Sequence, residues 1–278
     1  MKRTIRIILY SILAIVLILG FFVLITVFPE LIMKNKIEHK NYKVCSTTPI
    51  DKRMYEILDS VDNIVSKCEI YQPNLKHRIF FYNENRFYKL IQEKLVKAPT
   101  FTPMYHLGNS KVQNIVTFRP IDYENNCVIQ DEYQKPNLTQ IISHEIIHTF
   151  QGKVHGDTRH MPFWKLEGYA EYWSDLDKNT ITLETIDSKI ELLKHQDLSW
   201  MKDKNGEFIP FGLEQINKSY FQDSTGTWHA GTYFVAHLMA QYVFEVKKLD
   251  YDKFMSEETK QTVILHDMFA WSETFNKQ

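Results

Sequence analysis

Two stretches of this chain decide how its fold is interpreted: S-H-E-I-I-H-T-F at residues 143–150 and F-W-K-L-E-G-Y-A-E-Y-W at residues 163–173. His144 and His148 are four residues apart, so on a helix their side chains lie on one face, with Cβ atoms about 5–6 Å apart. Two imidazoles in that arrangement can bind one zinc ion. Glu145 would lie beside the pair, where its carboxylate could take a proton from a water on the metal.

A third metal ligand must come from another part of the chain, and Glu167 is the candidate. It follows His148 after eighteen intervening residues and would lie on a second helix that begins after Pro162. Two histidines and one glutamate leave a fourth position open to water, which is typical of catalytic rather than structural zinc sites. These residues predict a zinc-dependent hydrolase.

The flanking residues predict that both stretches are helical. Asn137 is a candidate N-cap for the first helix, with Gln140 three residues later at a capping-box spacing. Apolar residues then recur at helical spacing as far as Gly152, where we expect the helix to end. In the second stretch, Gly168 and Ala170 are small enough to let that helix approach a neighbour closely.

The combined pattern, H-E-x-x-H, eighteen residues and then W-x-x-E-G-x-A-E-Y, resembles the gluzincin clan of zinc metallopeptidases, and most of all its small peptidase-MA-like domains. The resemblance implies that His144, His148 and Glu167 bind zinc. It also implies that Glu145 is the general base. By the same resemblance, Glu171 accepts a hydrogen bond from the first histidine ligand, as a carboxylate beside a metal-bound imidazole often does.

The resemblance is weaker downstream of the two helices. In relatives a Tyr or His after the third ligand stabilises the negative charge that develops on the substrate carbonyl. His229 and Tyr233 are the candidates here, one turn apart on a helix expected at residues 225–247. Many relatives have Tyr where this chain has Trp228, and ordinary packing of half-buried aromatic side chains is the competing explanation.

The first residues predict a membrane anchor. Residues 7–28 contain no charged side chain, and a helix of that length spans about 33 Å, enough for a bilayer core. No small-x-small cleavage site follows, which favours a retained anchor over a cleaved signal peptide. Because Lys2, Arg3 and Arg6 precede the span, we expect a single-pass protein whose catalytic domain lies outside the cytoplasm.

The remaining sequence predicts an α+β fold, with a small mixed β-sheet followed by a mainly helical, gluzincin-type catalytic domain. We predict a cytoplasmic tip and transmembrane anchor at residues 1–28, a lysine-rich tether at 29–43 and the zinc metallopeptidase-like domain at 44–278. The other expected elements are helices at 52–67, 84–96, 182–195, 251–256 and 259–269, and strands at 77–82, 112–118 and 126–130.

Net charge and cysteine count bear on two questions, whether the chain binds nucleic acid and whether it forms disulfides. The chain has 33 basic and 34 acidic residues, so nothing in its charge favours a nucleic-acid partner. Its three cysteines allow at most one disulfide. Cys45 and Cys68 are the most plausible pair, which leaves Cys127 free, and three reduced thiols are an equal alternative.

Two interpretations of the function stay open. The first is a membrane-anchored zinc peptidase acting on peptides or proteins. An endopeptidase is slightly favoured, because no residue that would capture a free substrate terminus is evident. The second is a catalytically silent zinc-binding scaffold with the same fold. An intramembrane protease is excluded, because His148 is followed by polar residues rather than by a long apolar span.

Overall fold

The computed structural model of the chain describes residues 2–83, 100–101, 104–107, 110–130, 135–158, 160–212, 215, 220–222 and 228–275. The chain divides into two compact units, Met1–Val61 with Pro73–Glu145 and Asp62–Gln72 with Ile146–Gln278. The division falls inside two continuous helices, α2 (Met54–Val65) and α3 (Leu138–His155). The predicted α+β class, with a small mixed sheet and an apolar N-terminal helix, is confirmed.

The first unit begins with a long apolar helix, α1 (Lys2–Val27). Its segment Ile7–Val27 has a mean hydropathy of 3.0 and is long and apolar enough to cross a membrane. The side chains of residues 7–24 are all exposed, so this part of the helix makes little contact with the described part of the fold. A helix with apolar residues on every side is suited to a lipid environment rather than to water.

A five-stranded mixed sheet is the centre of this unit, with strand order β1-β2-β3-β7-β4. The neighbours β2–β3 and β3–β7 are parallel, whereas β1–β2 and β4–β7 are antiparallel. Two short hairpins, β5–β6 and β8–β9, accompany it. The strands are β1 (Asn35–His39), β2 (Tyr42–Ser46), β3 (His77–Phe81), β4 (Thr100–Phe101), β5 (Met104–Leu107), β6 (Ser110–Gln113), β7 (Ile115–Thr117), β8 (Ile121–Asp122) and β9 (Cys127–Val128).

The middle strands β2, β3 and β7 are buried along most of their length, which is typical of strands covered on both faces. Side chains of these strands and of flanking residues form an apolar cluster in which the rings of Tyr82 and Phe118 stack at 5.0 Å. The cluster consists of Met33, Cys45, Phe80, Tyr82, Val116 and Phe118.

The prediction that residues 29–43 form a tether is wrong. A turn of 3-10 helix at Pro29–Leu31, all of β1 and the start of β2 occupy this stretch. Exposure alternates along β1, because β1 is an edge strand with one face turned to solvent. Lysines on an edge strand discourage pairing with other chains. The lysine-rich composition therefore belongs to a sheet edge and not to a linker.

The second unit is mainly helical and has an aromatic core. Trp164 and Tyr169 are fully buried and both pack against Phe254, with ring centroids 5.1 and 5.9 Å away. Thr182 and Thr185 form a reciprocal capping box at the start of α5. The elements are α4 (Phe163–Ser174), α5 (Leu183–Lys194), the hairpin β10 (Tyr220–Gln222) and β11 (Trp228–Ala230), α6 (Gly231–Gln241) with a π-helical turn at Tyr242–Val246, α7 (Tyr251–Met255) and α8 (Gln261–Phe275).

Several predicted boundaries differ from the structure. The helix expected at 225–247 begins only at Gly231, after strand β11. The run at 112–118 is interrupted at Asn114, whose buried side chain donates a hydrogen bond to the carbonyl oxygen of Val27. The helix expected to end at 269 continues to Phe275. The helix expected at 84–96 lies outside the described residues.

The three cysteines are free and buried. The disulfide considered for Cys45 and Cys68 is therefore not formed. Cys45 packs in the apolar cluster of the sheet. Cys68 instead lies with its Sγ 3.3 Å from the hydroxyl oxygen of Tyr169. Burial raises the pKa of the Cys68 thiol to about 11, so this side chain stays a protonated thiol at neutral pH.

Candidate metal centre

Helix α3 presents the first candidate motif in the way that the sequence predicts. The side chain of Asn137 accepts a hydrogen bond from the backbone N–H of Gln140 at 3.1 Å, so the expected N-cap is confirmed. The helix ends at His155 and not at Gly152, because Gly156 is the glycine in the left-handed conformation, with φ +78°. Buried apolar side chains fix one face of α3: Leu138, Ile142, Ile146, Ile147 and Phe150.

Helix α4 carries the candidate third ligand and is held firmly along its length. It begins after Pro162, as predicted. The ammonium group of Lys165 donates a hydrogen bond to the carbonyl oxygen of Ser256 at 2.7 Å. A Cβ atom built on Gly168 would lie 2.4 Å from the carbonyl oxygen of Ala236, closer than any real contact. The expected close approach is therefore confirmed, and its partner is α6.

The structure groups the three predicted ligands. The candidate ligand atoms of His144, His148 and Glu167 all lie within 4.8 Å of one another. Nε2 of His148 is 3.4 Å from a carboxylate oxygen of Glu167, and both side chains are mostly shielded, at 14% and 12% exposure. Two ligands of a tetrahedral zinc, each about 2.0–2.1 Å from the metal, are separated by about 3.3–3.4 Å. The distance between His148 and Glu167 fits that geometry.

Gln151 fixes which nitrogen of His148 faces Glu167. The side-chain amide of Gln151 donates a hydrogen bond to the carbonyl oxygen of Leu166 at 3.1 Å, so its own oxygen points the other way. That oxygen lies 2.8 Å from Nδ1 of His148 and can only accept a hydrogen bond. Nδ1 therefore carries the proton, and Nε2 presents its lone pair towards Glu167. A histidine that ligates a metal through Nε2 has this tautomer.

The sequence prediction did not include Gln151, although a local signal exists. On α3, Gln151 lies three residues after His148 and hence on the same helical face. A fully buried glutamine one turn from a candidate ligand histidine is well placed to hold its ring. Through Leu166 it also ties the histidine to the residue that directly precedes Glu167.

The donor set is chemically suited to a metal ion. Two imidazole nitrogens and one carboxylate oxygen suit Zn²⁺ and also other divalent ions of the first transition row. Three protein ligands leave room for water or substrate in the coordination sphere. Glu145 is buried on α3 directly after His144. Glu171 is partly exposed on α4, one turn beyond Glu167, and its hydrogen bond to His144 stays a prediction.

Of the two candidates for stabilising charge on the substrate, Tyr233 lies on the expected helix and His229 does not. His229 lies in β11, so the prediction that it shares a helix with Tyr233 is wrong. The side chain of His229 lies outside the described part of the chain. Tyr233 is on α6, where its ring meets Phe163 edge-on with centroids 5.4 Å apart. Phe163 is the first residue of α4, so Tyr233 packs against the helix that carries Glu167. The catalytic roles of both residues stay predictions.

No protein-family model matches this chain, and a search of curated proteins finds no match either.

Proposed function

We propose that this chain is a membrane-anchored, zinc-dependent peptidase of the gluzincin type. The observation that carries the proposal is the grouping of His144, His148 and Glu167, with Glu145 next to the first ligand on the same helix. A zinc ion held by these three side chains would polarise a substrate carbonyl and lower the pKa of a bound water to about 7.

Glu145 is the proposed general base. Its side chain is buried, and shielding from water strengthens the interaction of a carboxylate with a reacting group. In hydrolysis of a peptide bond it would orient the attacking water, take its proton and pass that proton to the leaving amine. His148, held by Gln151 with the proton on Nδ1, would keep Nε2 available as a ligand. Tyr233 or His229 would donate a hydrogen bond to the developing oxyanion.

The proposed substrate is a peptide or protein chain outside the cytoplasm. Helix α1 supports the membrane anchor, because it is long and apolar enough to cross a bilayer. The proposed orientation rests on the basic residues Lys2, Arg3 and Arg6 at its start, which tend to stay on the cytoplasmic side.

The proposal is tested by measuring zinc content and peptide hydrolysis together, on the full chain in detergent. Wild type should contain one zinc per chain and cleave a quenched fluorescent peptide library. Glu145→Gln should keep the zinc but lose activity by roughly 10²–10⁴-fold, the range for general-base catalysis. Glu167→Ala should lose or weaken zinc binding. Glu184→Gln, at an exposed position on α5, is the matched control and should behave as wild type.

Three outcomes would contradict the proposal. Undiminished hydrolysis by Glu145→Gln would remove the general base and with it the proposed chemistry. Zinc binding by wild type without hydrolysis of any library member would favour the silent scaffold. Full zinc content in Glu167→Ala would place the third ligand elsewhere and remove the resemblance to gluzincins.

A further inference from the structure

The last turn of α1 is built into the folded part of the first unit. Ile25 and Val27 are buried, although every side chain from residue 7 to residue 24 is exposed. The carbonyl oxygen of Val27 accepts hydrogen bonds from Asn114 at 3.1 Å and from Arg78 at 3.3 Å. Carbonyl groups in the last turn of a helix have no partner within the helix. Side chains from the sheet region supply partners here, so the helix joins the fold without a flexible linker.

Arg78, on the central strand β3, is the main contact at this junction. Its guanidinium group forms an ion pair with Glu30, and both side chains are mostly shielded from solvent. The same group lies 5.3 Å from the ring centroid of Phe28 and 5.3 Å from that of Phe80. A planar cation this close to two aromatic rings gains cation–π attraction in addition to the ion pair. The segment that follows α1 is thereby held in one orientation.

The length of the exposed part of α1 determines where the bilayer ends. Residues 7–24 form about 27 Å of helix at 1.5 Å per residue. The hydrocarbon core of a typical bilayer is about 30 Å thick. At its other end α1 continues through residues 2–6, whose three basic residues suit the opposite headgroup region. Because the last turn of α1 is buried in protein, the polar surface of the bilayer on this side lies close to the residues directly after α1.

Those residues have the composition of a lipid-binding segment. Leu31 and Ile32 are 61% and 42% exposed, while the next residue, Met33, is buried in the apolar cluster of the sheet. Lys34 and Lys36 follow and are exposed. Exposed apolar side chains beside lysines are suited to the boundary between acyl chains and anionic headgroups. We propose that Leu31, Ile32, Lys34 and Lys36, together called the junction surface, bind an anionic lipid bilayer beside α1.

The proposed contact does not depend on the metal centre or on catalysis. It predicts that the junction surface lies in the membrane interface and fixes the first unit against the bilayer. A free linker after α1 would predict the opposite, with Leu31 and Ile32 in water. In that case Leu31 and Ile32 would stay exposed to water. Transfer of a leucine side chain from water to an apolar phase is favourable, so the membrane interface is the more stable location for this pair.

The test measures the surroundings of residue 31 directly. A nitroxide spin label is attached to Leu31→Cys in the full chain, in phosphatidylcholine bilayers with and without phosphatidylglycerol. Leu17→Cys in α1 is the lipid control, and Leu183→Cys, at an exposed leucine of α5, is the water control. The three native thiols are buried, so labelling under native conditions is selective for the introduced cysteine.

The label at residue 31 should be relaxed by oxygen, as at residue 17, and protected from a water-soluble nickel complex that reaches residue 183. Phosphatidylglycerol should increase that protection. The increase should be lost in Lys34→Gln/Lys36→Gln and kept in the matched control Lys204→Gln/Lys260→Gln, which changes two other exposed lysines.

Three results would overturn the proposal. Free access of the nickel complex to residue 31 would place the junction surface in water. Protection of residue 31 from both reagents would mean that protein, from a partner or a second copy, covers it. Access of the nickel complex to residue 17 would show that α1 itself does not lie in the bilayer.

Discussion

A single amide side chain decides which nitrogen of His148 can serve as a ligand. The amide orientation of Gln151 is set by its hydrogen bond to Leu166, and the tautomer of His148 follows from it. The shared helical face of His144 and His148 was predictable, because the spacing of two residues on one helix is a local property. Glu167 was predicted separately, from its place on a second helix after Pro162. Gln151 has no motif of its own. Its spacing from His148 places it on the same helical face, but its role depends on a backbone carbonyl of another helix, which that spacing does not reveal.

Removing this amide should weaken metal binding without changing the ligands. We expect Gln151→Leu to lower zinc affinity by roughly 10–100-fold, the usual effect of losing a partner of a ligand histidine. Gln151→Glu keeps an acceptor for Nδ1 and should restore much of the affinity. A competition titration with a zinc-binding dye measures both. Equal affinity of wild type and Gln151→Leu would show that Gln151 only fills space.

The buried thiol of Cys68 predicts a pH dependence of stability. Its pKa is raised from 9.0 to about 11, chiefly by burial, so the unfolded chain releases this proton at lower pH than the folded chain. The contribution of Cys68 to stability is complete below pH 9.0 and is lost as the pH rises to about 11.

Urea unfolding at about pH 8.5 and about pH 10.5 isolates this effect when wild type is compared with Cys68→Ala. Wild type should lose more unfolding free energy between the two pH values than the variant does. An identical loss in both proteins would mean that the Cys68 thiol ionises as readily in the folded chain as in the unfolded one.

At the scale of elements, α4 and α6 are in contact through backbone atoms. Gly168 permits this, because any larger residue would place its Cβ against the carbonyl group of Ala236. The sequence predicted α3 and α4 well, since caps, proline and apolar spacing are all local signals. It failed for β1, whose alternation is short and rich in lysine, and for the start of α6. At the start of α6 the chain passes directly from strand β11, which ends at Ala230, into the helix, which begins at Gly231.

Gly168→Ala should strongly destabilise the second unit. The clash involves a backbone carbonyl, which cannot rotate away as a side chain can, so the two helices must separate. We expect a loss of about 3 kcal/mol, at the upper end of the range for overpacked interiors. Gly20→Ala makes the same chemical change where nothing lies within 4 Å and should leave stability nearly unchanged. Thermal unfolding in detergent compares the two. Equal midpoints would contradict the close approach of α4 and α6.

At the scale of the whole molecule, the start of the folded part lies inside α1 rather than after a tether. Composition identified the apolar helix, but not the hydrogen bonds of its last carbonyl to Arg78 and Asn114, because these partners are distant in sequence. The same limit applies to the sheet order, which joins strands that are not consecutive. Local periodicity predicts strands but does not predict their neighbours.

Two truncated chains test where the folded part begins. A chain that starts at Ile25 keeps Val27, Glu30 and all of β1, and should fold with nearly full stability. A chain that starts at Ile37 loses Glu30 and part of β1. Arg78 then loses its ion pair with Glu30, and we expect a loss of at least about 1–3 kcal/mol in the free energy of unfolding. Urea unfolding of both soluble chains measures the difference. Equal stability would restore the interpretation of residues 29–43 as a tether.

With α1 in a bilayer, as we propose, the rigid junction between α1 and the sheet makes this protein sensitive to membrane thickness. A span of about 27 Å matches a thin bilayer, and each extra ångström of bilayer thickness costs a fraction of a kcal/mol. A flexible linker would absorb that mismatch. Here the last carbonyl of the helix accepts hydrogen bonds from Arg78 on the central strand and from Asn114, so a thicker membrane would pull on the sheet itself. The protein should therefore accumulate in the thinnest membranes available to it.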